Sequence, residues 1–315
     1  MRIVFMGTPV FAVPALEKLA ADPAYELLGV FTRPDLPSGR GYSVQISSVK
    51  KRALELNLPL FQPKKLMMQY DHLKTLHLDA IIVVAFGEFL DKKILELPRL
   101  GCINLHASLL PRWRGASPIQ RAILAGDDFT GVSAIYLTEE LDAGSILFQK
   151  KTPIKKTDTF QTLSSRLSQM GADLLLETLK ALETQCVSSY PQDISQVTYA
   201  GKLTKEMQWL DPRCTAKELD QKIRAFDPWP GTSVWIGRRL KIKKANLLEE
   251  VQFPVGQILT QENRVFLGTA KGSLELLELQ WEGRTTIQAL EFVHGFQGKE
   301  KLPLSLSIPP MAEER

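Results

Sequence analysis

Two polar side chains stand two residues apart in an otherwise apolar segment, Asn104 and His106. The segment has the pattern of a short strand, and side chains two positions apart in a strand lie on the same face. A loop rich in Pro and Gly follows it, up to Pro118. An amide beside an imidazole can stabilise a developing negative charge and move a proton. A single His would more simply cap the strand, but this pair in this position predicts a catalytic site.

A carboxylate that could orient the imidazole occurs at Asp142, after another predicted strand. Asp followed two places on by Gly is also common turn chemistry, so Asp142 by itself would be interpreted as a turn residue. Together with Asn104 and His106, it predicts a catalytic trio in which the carboxylate fixes the tautomer of the imidazole. Cys102 is predicted to point away from the pair and to belong to the core rather than act as a nucleophile.

Alternating strand and helix patterns position these residues. Apolar runs with β-branched residues predict buried strands at 2–6, 27–32, 80–85, 102–105 and 132–137. This alternation predicts a Rossmann-like, doubly wound α/β domain with a parallel sheet. In such folds the residues that follow the strands converge at the active site. The predicted catalytic domain covers residues 1–185.

The C-terminal part has a different pattern. A polar stretch predicts a linker at 186–205, and the remainder, 206–315, forms the second predicted domain. Five short strands in that domain predict a small β-barrel like an oligonucleotide-binding (OB) fold. They lie at 233–236, 240–245, 256–259, 264–268 and 274–280.

Composition excludes several classes of protein. The 315 residues contain three widely spaced cysteines, which predict no disulfide framework and favour a reducing cytoplasm. The phosphate-binding patterns G-x-G-x-x-G and Walker A are absent, which disfavours a nicotinamide cofactor. His72 and His77 have no evident third ligand nearby in the sequence, so no metal site is predicted. The net charge of +4 permits an anionic partner without requiring one.

The order of these residues resembles the folate-dependent formyltransferase family. The family pattern is Asn-x-His, then Ser-Leu-Leu-Pro-x-x-x-Gly, then an Asp; here it is Asn104, His106, Ser108–Pro111, Gly115 and Asp142. Further matching segments are Phe5–Pro9, Pro34–Asp35, Gly39–Gly41 and Arg224–Pro230, so that the resemblance covers essentially the whole chain. Two segments depart from the family pattern, Tyr42–Ser48 and Glu140–Ser145, and the second keeps Asp142.

The resemblance implies a reaction and two substrates. The formyl donor would be 10-formyltetrahydrofolate, and the acceptor would be the α-amino group of methionyl initiator tRNA, in support of translation initiation. Asn104 and His106 would bind the oxyanion, while Asp142 would hold His106 and help to remove the proton of the amine. The folate site would be lined by residues of two loops, namely Ser108, Leu109, Leu110, Pro111, Phe86, Gly87, Phe89 and Leu90.

Basic residues are the candidates for tRNA binding. Arg40 lies between two glycines in a long loop, and a run of cations lies in the barrel, namely Arg238, Arg239, Lys241, Lys243 and Lys244. Cations on one strand face could contact phosphates, but lysines also protect edge strands. Two other functions stay open, formylation of a sugar amine or a glycinamide nucleotide, and nucleic-acid binding without catalysis. A monomer is expected.

Overall fold

The computed structural model describes residues 1–38, 43–295 and 303–307. The chain divides into two compact units. The first consists of residues 1–119, 128–154 and 162–201, and the second of 120–127, 155–161 and 202–315. No helix within the described ranges is long and apolar enough to cross a membrane.

Strands and helices alternate through the first 201 residues. The strands are β1 (Arg2–Gly7), β2 (Glu26–Phe31), β3 (Leu36–Ser38), β4 (Ser43–Gln45), β5 (Leu60–Phe61), β6 (Ala80–Val84), β7 (Cys102–His106), β8 (Arg114–Gly115), β9 (Phe129–Tyr136), β10 (Ile146–Pro153) and β11 (Tyr199–Ala200). The helices are α1 (Val13–Ala21), α2 (Ser48–Glu55), α3 (Tyr70–Thr75), α4 (Lys92–Leu95), α5 (Pro118–Ala125) and α6 (Phe160–Glu183). Short 3-10 helices lie at Val10–Ala12, Leu66–Gln69 and Ile194–Gln196.

Seven strands form the main sheet, in the order β10-β9-β7-β6-β1-β2-β5. The five from β7 to β5 are parallel, whereas β9 is antiparallel to β7 and β10 is antiparallel to β9. The Rossmann-like α/β prediction is therefore confirmed, but the predicted strand at 132–137 is not parallel. A run of buried apolar residues looks the same in either strand direction, so the sequence pattern could not show this.

Cys102 lies in the apolar core beside Val4, Ile81 and Val83, as predicted. The predicted reason is wrong, because Cys102 is two residues from Asn104 and shares its face of β7. It is buried because α4 covers the beginning of β7, where the Cys102 thiol contacts the carbonyl oxygens of Ile94 and Leu95. This burial raises the pKa of Cys102 to about 12, so the thiol is not an activated nucleophile.

The second unit contains a curled antiparallel sheet. Its elements are α7 (Ala216–Phe226), β12 (Thr232–Trp235), β13 (Arg239–Leu248), β14 (Gln257–Gln261), β15 (Arg264–Gly268), β16 (Ser273–Trp281), β17 (Thr286–Gln288), α8 (Ala289–Gly295) and β18 (Leu304–Ser305), preceded by a 3-10 helix at Lys205–Gln208. The strand order is β12-β13-β16-β15-β14-β18, with β17 paired to β16. The two ends of this order meet, because the Ser307 N–H donates to the Trp235 carbonyl at 2.9 Å. The five predicted strands and the barrel-like fold are confirmed.

Candidate active site

β7 carries Asn104 and His106 into the interior of the first unit. Asn104 lies opposite Val83 of β6 and Ile135 of β9, so its backbone is held on both sides. Asn104 is 8% exposed and His106 is 6% exposed, which is unusual for side chains of this polarity. Buried polar groups need partners, and these two find them in the loops that follow β7 and β9.

Asp142 is the common partner of the pair. The Asn104 Nδ2 donates to Asp142 Oδ1 at 3.4 Å, and the His106 Nδ1 lies 3.6 Å from Asp142 Oδ2. The Gly115 N–H donates to Asp142 Oδ2 at 2.8 Å. Asp142 is 9% exposed, so these contacts are made largely out of water. The structure therefore brings the three predicted catalytic residues into one buried cluster.

The proton arrangement of His106 follows from its second partner. The His106 Nε2 lies 2.9 Å from the carbonyl oxygen of Trp113. A carbonyl oxygen accepts only, so the Nε2 must carry a hydrogen and donate it. A proton on Nδ1 as well would face the Asp142 carboxylate and give a charged pair. Both ring nitrogens of His106 thus face oxygen atoms, the Nε2 the Trp113 carbonyl and the Nδ1 the Asp142 carboxylate.

The loop after β7 is held by buried polar groups that the sequence analysis missed. The Ser133 hydroxyl accepts from Leu110 N–H at 3.1 Å and donates to the Ser108 carbonyl at 2.6 Å. The Gln149 Nε2 donates to the Leu110 carbonyl at 2.9 Å. A serine inside the apolar run of β9 was the available signal, since Ser133 is fully buried. These bonds set the path of the chain towards Trp113.

Asp142 reaches the cluster by a route that the parallel-sheet prediction did not foresee. β9 is antiparallel to β7, so its last residue, Tyr136, lies opposite Ile103 near the start of β7. The loop that follows folds back over the sheet to bring Asp142 to Asn104. This fold-back requires Gly144, because an added Cβ would lie 1.7 Å from the Tyr136 carbonyl oxygen.

Three residues other than glycine adopt left-handed backbone conformations in the loops around the cluster. They are Ala85, Trp113 and Asp142, with φ values of 49°, 67° and 50°. Such conformations cost about 1 kcal/mol or more each and collect at functional sites. Two of the three directly supply a contact of His106. The backbone is therefore held in a strained form where the polar cluster is assembled.

The predicted folate-binding residues fall into two groups. The side chains of Ser108, Leu110, Phe86 and Leu90 are buried. The Ser108 hydroxyl donates to the Arg112 carbonyl at 2.6 Å, which makes it a brace of the loop. Leu109 and Pro111 are half-buried, Gly87 is exposed and Phe89 is 73% exposed. The accessible surface of the two loops is thus provided by this second group.

The loop at 85–90 is anchored on both sides. The Thr8 hydroxyl donates to the Phe86 carbonyl at 2.9 Å. Glu88 accepts from the Leu66 N–H at 2.8 Å and forms an ion pair with Arg33 at 3.2 Å. Since Arg33 and Thr8 follow β2 and β1, neighbouring strand ends hold the loop in place. This anchoring keeps the exposed Phe89 at a defined position.

The segment near Asp35 is also tied down. Asp35 forms an ion pair with Lys50 and accepts from the Gln62 Nε2 at 2.9 Å. The Lys50 bond and then the Gln62 bond lower the pKa of Asp35. Arg40, the predicted tRNA contact of this region, lies outside the described residues.

An open surface pocket of about 440 Å³ adjoins the Asp142 loop. Its lining includes Glu140 and Ala143, which flank Asp142, together with Arg114, Gln192 and Tyr199. The Arg114 side chain is only 6% exposed, and its Nη1 lies 3.3 Å from the exposed Glu140 carboxylate. The pocket therefore contains a buried cation, Arg114. It directly precedes Gly115, whose N–H donates to Asp142.

The predicted tRNA-binding cations lie on and beside β13. This strand pairs with both β12 and β16 over Leu240–Ile242, so the edge-strand interpretation is wrong for that part. Burial lowers the pKa of Lys241, and repulsion from Arg239 and Lys243 adds to this effect. Arg239 pairs with Glu282 at 2.6 Å and Lys243 with Asp227 at 3.0 Å.

The remaining two cations are exposed. The Arg238 guanidinium stacks on the Trp281 ring at 3.7 Å. A register shift in the pairing of β13 with β16 occurs at Lys244, so the five cations do not all lie on one strand face. Arg238 and Lys244 are therefore the cations that the described structure leaves most accessible.

Clusters of potential metal ligands are absent from the described ranges. These ranges hold no group of three or more His, Cys, Asp or Glu side chains placed to bind a metal ion.

Sequence comparison identifies the family of this chain. A family model described as formyl transferase matches residues 1–179, and one described as formyl transferase, C-terminal domain, matches residues 202–297. The chain belongs to the formyl transferase family. Among its relatives, a methionyl-tRNA formyltransferase of Hydrogenovibrio crunogenus is 42% identical over 302 residues, 94% of this chain and 96% of the relative. One of Halothermothrix orenii is 40% identical over 95% of this chain and 98% of the relative.

Solved structures of formyl transferases and a related protein share the fold. An N-formyltransferase from Helicobacter canadensis, in complex with folinic acid and dTDP-3-aminofucose, matches with a TM-score of 0.67 at 18% identity, over 87% of this chain and 98% of that one. HypX from Aquifex aeolicus, in complex with tetrahydrofolic acid, matches with a TM-score of 0.64 at 16% identity, over 98% of this chain and 51% of that one. At these identities the likeness concerns the fold.

Proposed function

We propose that this chain transfers the formyl group of 10-formyltetrahydrofolate to the α-amino group of methionyl initiator tRNA. The observation that carries the proposal is the buried cluster of Asn104, His106 and Asp142, in a chain 42% identical to a methionyl-tRNA formyltransferase over 94% of its length. The donor supplies an activated formyl carbon, and the protein supplies the hydrogen bonds and charges around it.

Asn104 is the hydrogen-bond donor to the developing oxyanion. Its amide nitrogen carries two hydrogens, and one is directed at Asp142 Oδ1 at 3.4 Å. The other can bind the formyl oxygen as negative charge develops on it. A donor of this kind is worth about 3–4 kcal/mol of barrier.

His106 contributes charge rather than a second direct bond. The sequence-based mechanism gave it an N–H to the oxyanion, but in this geometry the Nε2–H is engaged by the Trp113 carbonyl at 2.9 Å. An imidazolium in this position, with 6% exposure, stabilises nearby negative charge through a poorly screened field. The role of His106 is therefore electrostatic, supported by Asp142.

Asp142 accepts a proton from the amine and passes it on. The α-amine of an aminoacyl ester loses one proton as the new C–N bond forms, and the departing nitrogen of the donor gains one as the old C–N bond breaks. Asp142 accepts hydrogen bonds from Asn104 and Gly115, and its carboxylate can carry the proton between the two nitrogens. The amine of the ester is partly neutral near pH 8, so a strong base is not needed.

The donor and acceptor are bound by separate surfaces in this proposal. The folate ring binds against the accessible parts of the two loops after β6 and β7, at Gly87, Phe89, Leu109 and Pro111. The tRNA phosphates bind the cations of the second unit, and Arg40 contributes from the first. In this proposal residues 1–185 carry the catalytic groups and residues 206–315 the tRNA-binding groups of a monomeric cytoplasmic enzyme.

The test is a substrate panel with purified protein. Each of four amines is incubated with 10-formyltetrahydrofolate, and formylated product is measured by mass spectrometry: methionyl initiator tRNA, methionyl elongator tRNA, glycinamide ribonucleotide and an amino-sugar nucleotide. We expect rapid formylation of the initiator tRNA, and loss of it in Asn104→Ala. Preference for the sugar or the glycinamide would overturn the acceptor assignment, and tRNA binding without any product would overturn the enzymatic one.

A further inference from the structure

The segment between the two family matches packs against the catalytic loops. The matches end at residue 179 and resume at 202. We call residues 190–200 the strap. It begins with a bridge in which Tyr190 and Ile146 exchange backbone bonds of 2.9 and 3.0 Å, and it ends with β11, which pairs in parallel with β8. Its polar composition, which predicted a linker, provides hydrogen-bond partners for the cluster.

Thr198 fixes the peptide group that binds His106. The Thr198 hydroxyl accepts from the Trp113 N–H at 2.9 Å, and the Thr198 carbonyl accepts from the Arg114 N–H, also at 2.9 Å. The Arg114 N–H belongs to the same planar peptide group as the Trp113 carbonyl. Holding one end of that plane therefore aims the other end, the carbonyl that accepts from His106 Nε2.

Gln192 holds the backbone of the loop that carries Asp142. Its Nε2 donates to the Asp142 carbonyl at 2.7 Å and to the Gly144 carbonyl at 2.8 Å, and its Oε1 accepts from the Arg114 Nε at 3.0 Å. Both amide hydrogens are used, and the side chain is buried. The two bonds hold the carbonyls on either side of Ala143, directly after Asp142, whose backbone is in the left-handed region.

We propose that Gln192 and Thr198 are positioning residues, which hold Asp142 and the Trp113 carbonyl on opposite sides of His106 in the geometry needed for transfer. The strap is then a working part of the active site rather than a connector. This role rests on the formyl transfer proposed above, because it acts through the catalytic cluster. Displacements of about 1 Å at a reacting centre can cost roughly 100-fold in rate, so small losses of geometry are measurable.

The variants remove single hydrogen-bonding groups at nearly constant size. Gln192→Met deletes the amide, Thr198→Val deletes the hydroxyl, and Thr198→Ser restores it. Thr198→Val keeps the backbone bond from the Arg114 N–H to the Thr198 carbonyl, so it tests the hydroxyl bond that holds the other side of Trp113, at its N–H. Gln196→Met is the matched control, because Gln196 lies in the strap but bonds to Asp193 at 2.8 Å on its exposed side. We expect kcat to fall roughly 10- to 100-fold in Gln192→Met and Thr198→Val. KM for the donor should change little, and Thr198→Ser and Gln196→Met should turn over like wild type.

An NMR measurement separates this proposal from the proposed function. The chain has four histidines, so the His106 ring protons can be assigned with His106→Gln. We expect a slowly exchanging Nε2–H in wild type and rapid exchange in Gln192→Met and Thr198→Val, whatever substrate the enzyme uses. Wild-type exchange and wild-type kcat in both variants would overturn the positioning role. A wild type that shows the protected proton but formylates no methionyl-tRNA would overturn the function alone.

Discussion

Asp142 connects every part of the catalytic cluster. It holds the Asn104 amide with one oxygen, and with the other it accepts the Gly115 N–H and faces the His106 ring. A buried carboxylate with several donors is a charge that the surrounding chain is built to stabilise. Removing that charge should therefore act on the transition state and on the orientation of both partners.

The first prediction concerns this charge. Asp142→Asn keeps the size of the side chain but places an amide where the Gly115 and Asn104 donors need an acceptor. We expect kcat to fall about 100- to 1,000-fold, with a folded protein by circular dichroism. Asp71→Asn, an exposed site on α3, is the control. Turnover within a few-fold of wild type at saturating substrates would remove Asp142 from the mechanism.

At the scale of elements, the loop between β9 and β10 sets where Asp142 lies. The loop closes against β9, and the Tyr136 N–H donates to the Ser145 carbonyl at 3.1 Å. Gly144 lies at the tightest point of this closure. Strand direction, loop closure and a single absent side chain together determine the position of the carboxylate.

Gly144→Ala tests the closure. An added Cβ would meet the Tyr136 carbonyl at 1.7 Å, and backbone on both sides has little room to move. We expect a loss of about 3 kcal/mol in the free energy of unfolding, measured by denaturant titration. Gly201→Ala is the control, because its Cβ would have no neighbour within 4 Å. Equal stabilities for the two variants would show that the loop relaxes freely.

The cations of β13 offer a second test at this scale. Arg239 and Lys243 are paired with Glu282 and Asp227, whereas Arg238 and Lys244 are the accessible ones. We expect the double variant Arg238→Gln/Lys244→Gln to reduce the slope of log affinity for tRNA against log salt by about two units, one for each lost phosphate contact. Folate affinity should stay unchanged.

The control for charge is Lys217→Gln/Lys271→Gln, which removes two exposed positive charges elsewhere in the second unit. The variant Arg239→Gln/Lys243→Gln should have a smaller effect than Arg238→Gln/Lys244→Gln, since its cations are already neutralised. Identical salt slopes for wild type and Arg238→Gln/Lys244→Gln would assign the patch to stability of the sheet.

At the scale of the whole molecule, ion-paired carboxylates support both units. In the first, the Arg2 N–H bond and then the Arg99 guanidinium lower the pKa of Asp79. In the second, Arg264 and then Asn246 lower the pKa of Glu275. A carboxyl with a lowered folded-state pKa stabilises the protein above its unfolded-state pKa. That contribution is lost as the pH falls through the folded-state value.

The melting temperature should therefore change little from neutral pH down to about pH 5 and fall steeply below the ordinary carboxyl values. Asp79→Asn and Glu275→Gln should each lower the melting temperature at pH 7 and flatten its fall in acid. The measurement is calorimetry across pH on the full chain. If the melting temperature of a variant falls in acid as steeply as that of wild type, the carboxyl that it lacks does not contribute to stability.

Local sequence determined the elements of this protein and its reacting groups. Apolar runs and turn residues predicted the strands of both units, because burial and backbone preference act over neighbouring residues. The spacing of Asn104 and His106 predicted their shared face, and the composition of the Asp142 loop indicated a second polar contributor. These features depend on the spacing of apolar and polar residues along the chain, which can be read directly from the sequence.

Tertiary structure decided the direction of β9, the fold-back at Gly144 and the Trp113 carbonyl that binds His106. It also converted the polar segment around Gln192 and Thr198 from a predicted linker into partners of the catalytic loops. A buried apolar run has the same residue types in either strand direction. Every residue has a backbone carbonyl, so the sequence does not show which one will bind a side chain. Contacts between residues 50 to 85 positions apart arise only when the chain has folded, because distance in sequence and distance in space are then unrelated.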